Sequence, residues 1–271
     1  MTANEINQIR RSVYKQKPLI HCITNPISIN QCANAVLAVG ARPIMAEHPK
    51  EAGEIIVTAQ ALLLNLGNIT DARMQSMTIS AEVAAKNNIP FIIDTVGVAC
   101  SGLRREFARR LIAESRPDII KGNYSEIYAL YNTAYSSAGV DAESTLTTES
   151  VSIAVAKLAQ KYETVVLASG KTDIVTDGKK LIYIKNGTSQ LTCVTGTGCM
   201  LGALCGCYLS ANHSITAATA ACAVLGICGE LSETAKGNGS FLINLLDNLS
   251  LISDTQLEIK LNLEETEIES I

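Results

Sequence analysis

Short aliphatic runs alternate with helical patterns along most of this 271-residue chain. Runs such as Phe91-Ile92-Ile93 and Val165-Val166-Leu167 contain no polar residue, which is typical of strands that are buried on both faces. Strands of this kind, when helices separate them, form a mainly parallel sheet with helices on both faces. The sequence therefore predicts an α/β fold, and because no linker or repeat interrupts it, we expect a single domain over 1–271.

Composition and charge exclude several classes of protein. Hydrophobic residues make up 47% of the chain and charged residues 18%, which predicts a large packed core. The net charge is −4 and there is no basic tract, so we expect no nucleic-acid partner. No stretch reaches the roughly 20 uninterrupted apolar residues of a membrane span, so we expect no membrane contact.

Nine cysteines without framework spacing, and an N-terminus without an apolar signal-peptide core, indicate free thiols in a cytoplasmic protein. The pairs Cys205/Cys207 and Cys222/Cys228 lie in helical patterns and are expected to be packing residues. An acidic tail over about 255–271 closes the chain. We assign it no function and expect it to be disordered.

Polar residues and glycines recur directly after the aliphatic runs. Ligands of parallel sheets bind beyond the carboxyl ends of the strands, so these positions are expected to form one site along one edge of the sheet. They are Thr24-Asn25, Met45, Asn65-Leu66-Gly67, Asp94-Thr95, Lys121-Gly122-Asn123, Ser169-Gly170 and Thr195-Gly196.

The turn Thr195-Gly196-Thr197-Gly198-Cys199 is the most informative of these positions. It stands between a run read as a strand, 190–194, and an apolar run read as a buried helix, 200–209. Glycines allow the backbone to approach a ligand, and the free N–H groups of a helix N-terminus favour an anion such as phosphate. Cys199 falls in the first helical turn, where a thiolate is favoured, although a buried packing cysteine is an equal alternative from this segment alone.

Asp94 and Glu126 are candidate carboxylates for a hydrated Mg²⁺, which typically takes one or two carboxylates together with substrate phosphates. For Glu126 a capping box with Asn123 is the competing explanation. Lys121 could neutralise phosphate charge, or it could be an exposed lysine at a strand end.

An anion-binding turn, two carboxylates, a lysine and a thiol are suited to phosphoryl transfer, which depends on positioning and charge neutralisation. The chain has no Gly-x-x-x-x-Gly-Lys-Ser/Thr sequence, which excludes a P-loop. No Gly-x-Gly-x-x-Gly opens the first βαβ unit, which disfavours a dinucleotide site.

The chain resembles the hydroxyethylthiazole kinase family, part of the ribokinase-like superfamily, over about 5–250. The motifs that carry the resemblance are His21-Cys22-Ile23-Thr24-Asn25, Gly40-Ala41-x-Pro43-Ile44-Met45-Ala46, Leu64-Asn65-Leu66-Gly67, Asp94-Thr95-Val96-Gly97, Lys121-Gly122-Asn123-x-Ser125-Glu126 and Val194-Thr195-Gly196-Thr197-Gly198-Cys199. Pro26 and Tyr124 depart from the pattern, and Pro26 could reshape the substrate pocket.

The resemblance implies a ribokinase-like fold and ATP- and Mg²⁺-dependent phosphorylation of the hydroxyl of 4-methyl-5-(2-hydroxyethyl)thiazole. It also implies a thiamine-pathway role and a homotrimer with its sites between subunits. By position, Asn25, Met45, Gly67 and Gly196 would bind the thiazole substrate. Lys121, Ser169 and Thr195 would contact ATP, and Asp94 and Glu126 would handle Mg²⁺. Cys199 stands where most ribokinase-like enzymes carry the Asp that accepts the alcohol's proton, and we expect it to contact that hydroxyl.

Three other functions stay open. The first is a kinase of the same fold for a pyridoxal- or hydroxymethylpyrimidine-like alcohol. The second is a non-catalytic sensor that binds nucleotide or thiazole, which would need no proton acceptor. The third is a cysteine hydrolase with Cys199 as nucleophile, but no motif links His21, His48 or His213 to that cysteine.

Overall fold

The protein is described here by a computed structural model that covers residues 1–137, 146–211 and 215–268. Within these residues, nine strands form one sheet. They are β1 (Leu19–Ile23), β2 (Arg42–Ile44), β3 (Ala61–Asn65), β4 (Phe91–Asp94), β5 (Ile119–Asn123), β6 (Val165–Ser169), β7 (Asp173–Thr176), β8 (Lys180–Ile184) and β9 (Leu263–Glu267).

The strand order is β2-β1-β3-β4-β5-β6-β7-β8-β9. The first six strands along the chain pair in parallel, and the last three are antiparallel to their neighbours. The carboxyl ends of the six parallel strands therefore lie along one edge of the sheet.

Eleven helices are present in the described residues. They are α1 (Ala3–Gln16), α2 (Ile29–Ala38), α3 (Pro49–Ile56), α4 (Asp71–Lys86), α5 (Gly102–Ser115), α6 (Tyr124–Tyr131), α7 (Thr148–Tyr162), α8 (Thr197–Leu209), α9 (Ile215–Leu231), α10 (Asn238–Leu251) and α11 (Asp254–Lys260).

The helices cover both faces of the sheet, and each face has its own apolar core. Side chains of a strand alternate between the faces, so Leu63 belongs to the core that residues of α2, α8 and α9 share, whereas Leu62 and Leu64 belong to the core that residues of α4 and α5 share. All three leucines are fully buried. The predicted fold class, a mainly parallel sheet between two layers of helices, is confirmed.

The sequence also predicts a hairpin through Asp177-Gly178, and β7 and β8 confirm it. The predicted strand at 190–194 is wrong. Ser189–Cys193 forms a 3₁₀ helix with no buried residue, in which the Thr192 hydroxyl donates to the Ser189 carbonyl at 2.8 Å. Such local side-chain bonds compete with strand pairing, and β9 already occupies the free edge of β8.

The structure also differs from the expectation of a disordered acidic tail. Residues 254–260 form α11, and β9 pairs antiparallel with β8. The acidic side chains meet lysines across this pair, since Lys185 Nζ lies 2.6 Å from Glu264 Oε1 and Lys180 Nζ lies 2.7 Å from Glu265 Oε1. Opposite charges facing each other across strands stabilise the pairing. The final residues, 269–271, lie outside the described part of the chain.

Across the described residues, none of the helices combines the length and the apolar character that a membrane crossing requires.

Candidate active site

The centre of the site is a row of three polar residues on neighbouring strands. Asn65 at the end of β3 is in register with Asp94 at the end of β4, and Asp94 is in register with Lys121 on β5. Partners in register project to the same side of a sheet. All three side chains are buried, with Asn65 and Asp94 fully inaccessible and Lys121 3% exposed.

Helix α8 packs over this row and supplies the thiol. Gly196 is its N-cap residue and has φ +96°, a left-handed conformation that side chains disfavour. Gly202, further along α8, lets the helix approach the carboxylate, since a Cβ there would lie 3.1 Å from Asp94 Oδ2. Cys199 is therefore held in the first turn of α8, and its side chain is half-buried.

Lys121 is a buried ion-pair partner and not the exposed strand-end lysine considered above. Its Nζ donates to Asp94 Oδ1 at 2.9 Å, to Asp94 Oδ2 at 3.0 Å and to the Gly198 carbonyl at 2.9 Å. Burial works to lower the pKa of this ammonium, but the charges of Asp94, Cys199 and Glu126 outweigh it, and the pKa lies above its ordinary value. Lys121 therefore stays positively charged and fastens the α8 turn to β4.

The Cys199 sulfur contacts two side-chain amides. Asn25 Nδ2 lies 3.2 Å from it and Asn65 Nδ2 lies 3.4 Å from it. Asn25 Nδ2 also donates to Asn65 Oδ1 at 3.1 Å. These contacts join the ends of β1 and β3 to α8, so the predicted substrate residue Asn25 and the predicted catalytic residue Cys199 lie together.

Glu126 forms the capping box that was the competing explanation for it. Its Oε2 accepts from the Asn123 backbone N–H at 2.7 Å, and Asn123 Oδ1 accepts from the Glu126 N–H at 2.8 Å. Its Oε1 accepts from the Gly97 N–H at 2.8 Å, in the loop after Asp94. Burial, together with the charge of Asp94, raises the pKa of Glu126 to about 7. The residue is thus a helix cap and, at the same time, a buried carboxylate next to the Asp94–Lys121 pair.

Met45 and Gly67 lie on two loops that are tied to each other. Arg73 in α4 binds the Glu47 carboxylate at 2.7 and 3.0 Å and donates to the Asn68 carbonyl at 3.2 Å. It therefore connects the loop after β2, which carries Met45, with the loop after β3, which carries Gly67.

His21 on β1 binds the loop after β2, because its Nε2 lies 2.8 Å from the Ala46 carbonyl. Burial lowers the pKa of His21, so the ring is neutral, and a carbonyl partner requires the proton to sit on Nε2. Sequence reasoning missed both Arg73 and His21 as supports of the site. Their partners are distant in sequence, and no local signal points to them.

Ser169 and Thr195 lie at the edge of the site. The Ser169 hydroxyl donates to the Gly122 carbonyl at 3.3 Å, and Ser169 is in register with Asn123. Thr195 is exposed and directly precedes the N-cap Gly196. Ser169 therefore lies beside the end of β5 and Thr195 beside the α8 turn, and all ten predicted site residues lie at the edge formed by the carboxyl ends of the parallel strands.

The arrangement does not support a cysteine hydrolase. In the described part of the chain, the hydrogen-bond partners of the Cys199 sulfur are the two asparagines. His21 binds Ala46, and His48 caps α3 through a bond to the Lys50 N–H. His213 lies outside the described residues. A buried lysine that stays charged, a helix N-terminus and a thiol suit anion binding and phosphoryl transfer.

The fold and this edge of the sheet define a class of protein, the ribokinase-like kinases. A pyridoxal kinase from Staphylococcus aureus, solved with ADP, matches 93% of this chain and 99% of its own with a TM-score of 0.67 and 13% identity. At that identity the likeness concerns the fold alone. The model of the hydroxyethylthiazole kinase family matches residues 10–255, and the chain belongs to this family.

Relatives support the assignment over nearly the whole length. A protein of Clostridium botulinum named hydroxyethylthiazole kinase 2 is 48% identical over 253 residues, which cover 91% of this chain and 95% of the relative. Hydroxyethylthiazole kinase 1 of Methanosphaera stadtmanae is 38% identical and covers 96% and 98%. The solved hydroxyethylthiazole kinase of Pyrococcus horikoshii is 32% identical, covers 96% and 98%, and has a TM-score of 0.89.

Proposed function

We propose that this protein transfers the γ-phosphoryl group of ATP to the primary hydroxyl of 4-methyl-5-(2-hydroxyethyl)thiazole in thiamine biosynthesis or salvage. Family membership supports the reaction class, and the names of the relatives support the thiazole alcohol as acceptor. The observation that carries the proposal is the meeting of a thiol with the Lys121–Asp94 pair at the N-terminus of α8. That meeting provides an acceptor for the alcohol's hydrogen beside a site for the phosphoryl group.

Asp94 and Glu126 fit a Mg²⁺ ion that keeps most of its water. A carboxylate offers about four acceptor positions. Asp94 already accepts three hydrogen bonds from Lys121 and Asn65, and Glu126 accepts two from backbone N–H groups. Each therefore retains acceptor capacity, as a hydrated Mg²⁺ bound partly by phosphates requires. When bound, the ion neutralises phosphate charge.

The N-terminus of α8 is the proposed phosphate site. Its N–H groups have no helical partner and point out of the turn that Gly196 makes possible. Thr195, directly before this turn, and Ser169, beside the end of β5, would contact ATP. Lys121 would contribute positive charge next to it, and because its three donors already have partners, contact with a phosphate requires it to release one.

The thiazole would bind against Asn25, Met45, Gly67 and Gly196, with its hydroxyl facing Cys199. A loose phosphoryl-transfer transition state needs little proton removal before the phosphoryl group arrives. We therefore assign Cys199 the role of orienting the hydroxyl and accepting its hydrogen, with a modest effect on rate.

We also propose a homotrimer with sites between subunits and a cytoplasmic location. Ile27, two residues after Asn25, is 66% exposed, as expected if a neighbouring subunit covers this loop. All nine cysteines are unpaired, as expected in a reducing compartment. Light scattering coupled to size-exclusion chromatography measures the oligomeric state directly.

The function is tested by incubating the protein with ATP, Mg²⁺ and a panel of heteroaromatic alcohols, while ADP and the phosphorylated product are both followed. The panel holds the thiazole alcohol, pyridoxal and a hydroxymethylpyrimidine. We expect turnover with the thiazole alcohol and its loss when Mg²⁺ is chelated. Preferred turnover of pyridoxal or the pyrimidine would assign a different acceptor, and binding without turnover would support a sensor.

A further inference from the structure

Asn65 has hydrogen-bond partners for every polar atom of its side chain. Its Nδ2 carries two hydrogens, and its two partners are Asp94 Oδ2 at 2.9 Å and Cys199 Sγ at 3.4 Å. Its Oδ1 accepts from the Gly67 backbone N–H at 2.9 Å and from Asn25 Nδ2 at 3.1 Å. The residue is fully buried, so no solvent competes for these bonds.

These partners permit only one orientation of the Asn65 amide. If the amide were flipped, its oxygen would face the Asp94 carboxylate, which only accepts, and its NH₂ group would face the Gly67 N–H, which only donates. The orientation of Asn65 in turn decides that of Asn25, whose Nδ2 faces Asn65 Oδ1 and whose Oδ1 accepts from the Ser28 N–H at 3.1 Å. Both amides therefore direct one N–H toward Cys199.

We propose that Asn65 is a positioning residue for Cys199. The Asp94 carboxylate fixes the amide of Asn65, and the amide of Asn65 fixes that of Asn25. Both amides donate to the Cys199 sulfur and hold it as a hydrogen-bond acceptor that faces the proposed position of the alcohol. The proposal rests on the proposed role of Cys199 toward the alcohol. It also gives Asp94 a second task, because the same carboxylate that binds Lys121 orients the amide on the thiol.

A purely structural role for Asn65 is the competing explanation. A buried asparagine at a strand end satisfies backbone groups, and its loss would lower stability without any specific effect on Cys199. The two explanations differ in one measurable respect, namely whether the effect of replacing Asn65 reaches the sulfur.

The first test follows Cys199 without reference to catalysis. Asn65→Asp keeps the size of the side chain and the acceptor for Gly67 but removes both N–H donors, whereas Asn65→Leu removes all four bonds. Alkylation by iodoacetamide is followed at each cysteine by peptide mass spectrometry. N–H donors stabilise negative charge on sulfur, the form that the reagent attacks, so we expect Cys199 to react roughly fivefold more slowly in either variant.

Controls are available within the same chain. The exposed Cys100 and Cys193 report on general reactivity and should react as in the unchanged protein. Asn7 is a matched control, since it is also a fully buried asparagine but binds the Asp254 carbonyl and Arg10, away from the site. Asn7→Asp should leave the alkylation rate of Cys199 unchanged. Circular dichroism identifies any variant that fails to fold. If one of the two Asn65 variants does not fold, the alkylation rate of Cys199 in the other one tests the proposal.

The second test asks whether Asn65 acts through the thiol. In a double-mutant cycle with Cys199→Ala, Asn65→Asp should lower kcat roughly tenfold in the parent protein and much less when the thiol is absent. Equal losses in both backgrounds, or unchanged alkylation of Cys199 in the folded Asn65 variants, would overturn the proposal. If the parent protein phosphorylates no thiazole alcohol, the proposed function fails, while alkylation still decides the role of Asn65.

Discussion

Lys121 Nζ and the Asp94 carboxylate form a two-pronged ion pair, at 2.9 and 3.0 Å, inside the protein. The lysine is 3% exposed and the aspartate not at all. The third donor of Lys121 reaches the Gly198 carbonyl in the first turn of α8. The pair therefore joins two strands of the sheet to the helix that carries Cys199, and any loss of it leaves a buried charge unpaired.

Replacing Lys121 by methionine should lower the free energy of unfolding by about 3–5 kcal/mol, because it leaves Asp94 charged and buried without its partner. Urea denaturation measures the change. Lys121→Arg retains the charge and should be much less destabilising. The double variant Lys121→Met/Asp94→Asn removes both charges and should recover part of the loss. If the double variant lost as much free energy of unfolding as the two single variants together, or more, the pairing would not be the cause.

Glu126 should make the protein less stable as the pH rises. Its folded-state pKa of about 7 lies above its ordinary value of 4.5, so between these pH values the folded protein holds more protons than the unfolded chain. The free energy of unfolding should therefore fall between pH 4.5 and 7, by at most something on the order of 3 kcal/mol. Unfolding curves in the presence of a chelator should show this slope for the parent protein and a weaker slope for Glu126→Gln. Equal slopes would contradict the raised pKa.

Cys199→Ser at saturating ATP and thiazole alcohol should reduce kcat roughly tenfold, a small effect for a proton acceptor because the transition state is loose. The KM for the alcohol should change less than kcat, since the serine hydroxyl still contacts the substrate. Cys199→Ala serves as the comparison that removes the group altogether. Wild-type kcat in Cys199→Ser would remove the thiol's role as proton acceptor.

Gly67→Ala should disturb the amides beside the thiol. A Cβ at this position would lie 2.7 Å from Asn25 Nδ2 and 2.8 Å from Asn65 Oδ1, so one amide must move. We expect a loss of about 1–3 kcal/mol in stability and a lower kcat/KM for the alcohol.

Gly53 is the matched control for Gly67. It lies inside α3, and a Cβ there would have its nearest neighbour, Ile79 Cγ2, at an ordinary 3.5 Å. Gly53→Ala should raise stability by up to about 1 kcal/mol and leave activity unchanged. If the two substitutions had the same effect on kcat/KM, crowding of the amides would not explain it.

Arg73→Leu should loosen the two loops that carry Met45 and Gly67, because its guanidinium joins Glu47 to the Asn68 carbonyl. The expected result is a KM for the thiazole alcohol raised roughly tenfold with a smaller change in kcat, since the loops lie on the binding side of the site. Steady-state kinetics checks the split. Arg73→Lys keeps a charge near Glu47 but cannot form the two-pronged contact, so its effect should be intermediate.

Local sequence patterns were enough to predict the sheet and the edge at which the site lies. A fully apolar run such as Phe91-Ile92-Ile93 is buried on both sides only in a strand that lies between two layers of helices. The polar residues that follow such runs then lie together at the carboxyl ends of the parallel strands. The motifs carried the family as well. Local side-chain bonds overrode the apolar pattern at 190–194, where periodicity alone was wrong. Acidic composition alone was wrong for the tail, because β9 pairs with β8 and its glutamates bind Lys180 and Lys185.

The roles of the polar residues follow from contacts between distant parts of the chain. Lys121 reads as a strand-end lysine until the register places it beside Asp94 and α8 closes over both. Glu126 is both the cap of α6 and a buried carboxylate, two readings that the sequence alone presents as alternatives. Asn65 gained its place between Asp94 and Cys199 in the same way. A hydrogen bond is lost when its donor–acceptor distance grows by a few tenths of an ångström. For residues that are far apart in the chain, strand register and helix packing set that distance, and local sequence does not.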